Sequence, residues 1–142
     1  MKNILFALSL MVVGRTMSFA QCSRNVALTA SKTEYLDASG TLQKSVVENS
    51  RIEITKKELV ISPGNEEQKM TGIIKSDTCN WKIPFQEGKT VLKATLSKKG
   101  ENTMNATVTI EGKEGKLTFL MEVEEMRDRK IRVVIDKFEE KK

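Results

Sequence analysis

The chain has 142 residues, with 24 Lys and Arg against 19 Asp and Glu, a formal charge of +5 and no histidine. Absence of imidazole removes the commonest general base, the Ser-His-Asp triad and most zinc enzymes. Basic and acidic residues are interleaved, as in "RIEITKKEL" and "EEMRDRK", beside one Trp and one Tyr; with neither a phosphate-binding stripe nor a stacking platform, nucleic acid is not an expected partner.

The N-terminus reads as an export signal. Lys2 precedes an apolar run from Ile4 to Val13, and Ser18 and Ala20 are small residues at −3 and −1 of a cleavage point before Gln21. The run is far shorter than the roughly 20 residues a membrane-spanning helix needs. Cleavage leaves residues 21–142 as a single domain and lowers the formal charge to +3, because Lys2 and Arg15 depart with the signal. Gln21 before Cys22 does not make a lipobox, so no stable membrane anchor is expected. The expected location is periplasmic or secreted.

Cys22 and Cys79 are the only cysteines. In an oxidising compartment two cysteines most simply form one disulfide, worth about 4 kcal/mol in the chain-entropy description. Two thiolates without histidine make a poor zinc site, and the pair is not arranged as C-x-x-C.

From about Val26 the apolar pattern has a period of two. Turn chemistry recurs at "DASG" (37–40), "SPGN" (62–65), "QEGK" (86–89), "KKGEN" (98–102) and "EGKEG" (111–115), which places the glycines in hairpin connections. Arg51–Thr55, Glu58–Ser62 and Lys69–Lys75 read as strands in the less regular first half. In the second half Leu92, Leu96, Met104, Val108, Phe119, Met121, Val133 and Ile135 all fall on the apolar phase, with Leu120 the exception to alternation. One apolar face and one wet face mark antiparallel sheet. The fold class is therefore all-β: an antiparallel meander of eight or nine strands that must curl into a barrel, or into two packed sheets, to cover its edges.

Such a meander behind an export signal resembles the lipocalin-like β-barrels. The stretch from "CNWKIPFQEGKTVLKATL" to "IEGKEGKLTF" is similar to small exported proteins of Gram-negative bacteria. The resemblance implies a barrel that binds a small apolar ligand. The lipocalin G-x-W motif of the first strand is absent; the only tryptophan is Trp81, mid-chain.

Candidate site residues follow from composition. Trp81 lies two residues from Cys79, with Phe85 four further on. They read as the rim of a ligand pocket, an anchor for a protein partner, or a plug over the disulfide. Met70, Met104 and Met121 on the inward phase either line an adaptable apolar cavity or fill a core poor in aromatics. Trp81, Phe85, Met104, Phe119 and Met121 are thus the candidate ligand-binding residues. Glu122 and Glu124 share a strand face, and with Asp128 could gather a cation, but no Asp-rich loop supports this and such residues are ordinary on a solvated face. No phosphate-binding glycine loop exists. No catalytic residue, metal or cofactor is expected. The expected function is non-catalytic binding, either of a small apolar ligand or, as an interaction module, of a protein partner.

Overall fold

The computed structural model describes residue 22 and residues 25–64, 68–99 and 101–141. The export signal and its cleavage point lie outside them. Eight strands follow in chain order: β1 (Val26–Asp37), β2 (Leu42–Ile54), β3 (Glu58–Ser62), β4 (Met70–Ile83), β5 (Glu87–Lys98), β6 (Met104–Lys113), β7 (Lys116–Val123) and β8 (Arg129–Glu140). Each pairs antiparallel with the next, and β8 closes on β1 from Val26 opposite Glu140 to Asp37 opposite Arg129, giving a closed barrel. Closure is what removes the sheet edges that an open meander would expose.

The turns follow their local chemistry. Between β1 and β2 the Asp37 carboxylate accepts the backbone N–H groups of Ser39 and Thr41 at 3.0 and 2.8 Å, while Gly40 takes a φ of 87°. These bonds hold the Asp37 carboxyl below its ordinary pKa, the Thr41 N–H being the largest cause. Between β6 and β7, Glu114 and Gly115 both have positive φ (52° and 79°), the backbone that a two-residue hairpin turn demands.

Inside, the phase assignment of the second half holds. Leu92, Leu96, Val108, Phe119, Met121, Val133 and Ile135 are buried in one continuous core with Leu28, Ile52, Leu59 and Ile110, and half-buried Met104 packs against it. Burying one such side chain contributes about 1.5–3 kcal/mol. Outside, Lys93, Asn105, Thr107 and Glu122 keep contact with solvent, and Leu120 is half-buried between Thr109 and Arg132 on the neighbouring strands. An apolar interior with a polar exterior is the reverse of a membrane-spanning barrel, whose lipid-facing side is apolar.

Three irregularities shape this barrel. In β1 the pairing shifts between Ala30 and Lys32 against β2, and between Ala30 and Thr33 against β8. Such bulges re-aim side chains. Here Val26, Leu28 and Ala30 join the core before the shift, and Thr33 and Tyr35 face the interior after it. Next, β3 is short: it pairs with β2 over Arg51–Ile54, so among the described residues β2 from Leu42 to Ser50 has a ladder partner only in β1. Lastly, Gly88 and Gly112 lie within strands rather than in turns. Gly88 and Gly112 face each other across the β5–β6 ladder; a Cβ would stand 2.5 Å from the Trp81 Cα at the first and 2.4 Å from the Gln86 carbonyl oxygen at the second. Hairpin punctuation does not explain these positions; close backbone approach does. They let the β4–β5 turn fold down over one end of the barrel.

Candidate ligand-binding cavity

The two ends of the barrel differ. One is sealed. Cys22 and Cys79 form a disulfide with Cα atoms 5.8 Å apart, within the range that a disulfide spans. Trp81 is buried beside it, its indole N–H donating to the Thr90 hydroxyl at 2.7 Å. The Phe138 ring stands edge-on to both Trp81 (centroids 5.7 Å apart) and Phe85 (4.9 Å), a geometry that aromatic pairs favour. Phe85 sits third in a turn closed by the Gln86 N–H on the Ile83 carbonyl, with a φ of 60°. Glycine usually supplies that conformation; here a phenylalanine adopts it with its ring packed on Phe138. The space under the disulfide is about 30 Å³, room for a water and not for an organic ligand.

The other end is hollow. A cavity of about 440 Å³ opens there, inside the range of roughly 300–1,000 Å³ typical of small-molecule sites. Phe119, Met121, Ile52 and Val133 lie deepest, all buried in the core. Ile61, Met70 and Ile131 extend the apolar wall towards the mouth, and Met126 and Pro63 stand at its edge. Three methionines, Met70, Met121 and Met126, give the cavity an unbranched, adaptable apolar lining.

Part of the wall is polar. Thr33 and Tyr35 of β1, turned inward by the bulge and paired with Val133 and Ile131 of β8, line the cavity together with Ser50 of β2. Charges occur only at the mouth, where Glu48, Lys98 and Arg129 contribute to the lining. Lys98 Nζ donates to the Gln68 amide oxygen at 2.9 Å, and Arg129 lies 3.7 Å from the neighbouring Asp128 carboxylate.

An ion pair braces this hollow end from outside. Glu34, between lining residues Thr33 and Tyr35, meets Arg132, between lining residues Ile131 and Val133, at 3.0 Å. The hydrogen bond from Arg132 lowers the Glu34 pKa, against an opposing effect of burial. The pair ties β1 to β8 directly behind the cavity.

The candidate residues thus separate. Phe119 and Met121 line the cavity, with Met70. Trp81 and Phe85 belong to the sealed end, some of the way along the barrel from the hollow. Met104 packs opposite Leu96 in the β5–β6 ladder and is not part of the cavity lining. Glu122 pairs with Lys130 at 3.5 Å, and among the described residues no cluster of carboxylates or cysteines suits a metal ion. Sequence reasoning missed Thr33, Tyr35, Ser50 and Met126. The signal for Met126 was present, since it is the only apolar residue between Val123 and Ile131. Compared with family models, with curated proteins and with solved structures, the chain matches none.

Proposed function

We propose that this is an exported, non-catalytic carrier or sensor that holds one small apolar molecule in the hollow end of the barrel, in the manner of lipocalin-like proteins. The observation that carries the reading is the cavity of about 440 Å³, apolar at its base and open at one end while the other end is sealed. A packed barrel would offer no such volume; a binding barrel requires it. The disulfide fits export to an oxidising compartment.

A protein-interaction surface has less support. The large exposed apolar residues are Leu42 and Val47 on β2, Ile73 and Ile83 on β4, and Val134 on β8. No two of these strands are hydrogen-bonded neighbours, so the residues do not merge into the broad patch that marks a docking site.

The test is uptake of a neutral lipophilic dye such as N-phenyl-1-naphthylamine. Stoichiometric binding that is lost in Met121→Lys is the expected result, because the new ammonium would be buried at the cavity base. Absence of uptake by a folded wild-type protein would overturn the carrier and return the function to the outer surface.

A further inference from the structure

Resting on that reading, we infer that the ligand carries an uncharged hydrogen-bonding group within its apolar body, and that Ser50 receives it. Ser50 is only 9 % exposed and lines the cavity, yet its hydroxyl has no hydrogen-bond partner among the described residues. Buried hydroxyls in native proteins almost always have one, because an unpaired group forfeits its hydration without return. The serine stands at an inward position of β2, between Glu48 at the mouth and Ile52 at the base. Its neighbour across the ladder is Ala30, whose methyl offers no partner. The hydroxyl oxygen is itself covered, so a group arriving inside the cavity reaches it by a turn of the Ser50 side chain and supplies the missing bond.

The depth of Ser50 narrows the ligand chemistry. Among the described residues the charged side chains of the lining are Glu48, Lys98 and Arg129, all at the mouth. An ionised carboxylate drawn down to Ser50 would meet hydroxyls and hydrocarbon but no cation, which is costly. A hydroxyl or carbonyl needs one hydrogen bond and finds it, while Thr33 and Tyr35 on the same wall keep that side of the cavity polar. The ligand class is therefore a neutral, ring- or chain-like hydrocarbon body bearing an alcohol or ketone part-way along, oriented with that group towards β1 and β2.

Three compounds of one size separate the possibilities: naphthalene, 2-naphthol and 2-naphthoate, each competing with the neutral dye for the full-length protein. Wild type is expected to prefer 2-naphthol to 2-naphthoate. Ser50→Ala is expected to weaken 2-naphthol about 5- to 10-fold while leaving naphthalene unchanged, as loss of a single hydrogen bond should. Ser50→Thr, which retains the hydroxyl, is expected to keep most of the preference. Equal losses for naphthol and naphthalene in Ser50→Ala, or no loss for either, would overturn the role of Ser50 and leave the carrier standing. So would tightest binding of 2-naphthoate abolished by Lys98→Ala, which would put the ligand's polar group at the mouth. Failure of the dye itself to bind would instead overturn the carrier, and this inference with it.

Discussion

The Trp81 indole N–H donates to the Thr90 hydroxyl at 2.7 Å, and that hydroxyl in turn donates to the Cys79 sulfur at 3.3 Å. Tryptophan, threonine and disulfide thus form one connected group across β4 and β5. Replacing Trp81 by Ala removes both the ring and the packing of Phe138 upon it, and should cost about 3–5 kcal/mol. Thr90→Val keeps the shape and removes the hydroxyl; the Trp81 N–H then loses its partner, for about 1–3 kcal/mol. Urea denaturation of the two variants should order them that way. A tryptophan variant as stable as wild type would show that the sealed end is not packed as described.

Reducing the disulfide should lower stability by about 2–4 kcal/mol, and Cys79→Ser should do the same. The check is thermal unfolding with and without reductant, together with a thiol titration of native protein. Two free thiols in the native state would contradict the Cys22–Cys79 bond. Dye uptake should survive reduction at temperatures where the barrel stays folded, because the bond lies at the end away from the cavity.

Glu34 confers acid sensitivity of known sign. Its folded-state pKa lies below the ordinary value of 4.5, chiefly through the hydrogen bond from Arg132. The unfolded chain therefore binds the proton first as pH falls, and the stability that the pair supplies is complete above about pH 4.5 and is lost as pH drops through the folded-state value. Asp37 and Glu53 shift in the same direction, Asp37 through the Thr41 N–H and Glu53 first through Arg51. The urea midpoint should fall between pH 5 and pH 3, and Glu34→Gln should reduce that fall. Equal pH dependence in wild type and variant would remove Glu34 as a contributor.

Phe119 is 1 % exposed and also borders the cavity. Phe119→Ala should cost about 3–5 kcal/mol, the range for phenylalanine truncation, because the ring is covered on nearly every side. The same substitution should deepen the cavity and admit a larger dye. A cost well below this range, with no change in dye size limit, would mean that the ring does not sit between core and cavity as described.

Some of this architecture was plain in the residues, and for a reason. In β6 and β7 most residues pair on both sides, so Val108, Ile110, Phe119 and Met121 alternate with an outer face that is polar except at Leu120. β3 was legible to the residue, Glu58–Ser62, because turn chemistry bounds it closely. The first half was harder. In "ALTASKTEYLD" the inward phase changes at Ser31 and Lys32, so no single alternation reads through β1, and Thr33 and Tyr35 look outward until the bulge is known. Ser50 was obscured by its own chemistry: a serine on a strand ordinarily marks the wet face, and only the pairing shows that it faces inward. Trp81 admitted three readings because its neighbour Phe138 lies 57 positions away in the chain, and no local pattern announces so distant a contact.

The shortness of β3 also has a kinetic meaning. Over Leu42–Ser50 the only ladder partner among the described residues is β1, whereas over Arg51–Ile54 β2 is paired on both sides. Glu48 and Ser50 on this half-held stretch border the cavity, and so do Ile61, Pro63 and Met70 across the gap. Opening fluctuations concentrate where cross-strand bonds are fewest, so amide protons of the upper part of β2 should exchange with solvent well before those of Ile52 and Ile54. The barrel has a seam, and the seam runs along the wall of the cavity. For the proposed ligand, the residence time inside the barrel should then depend on β2.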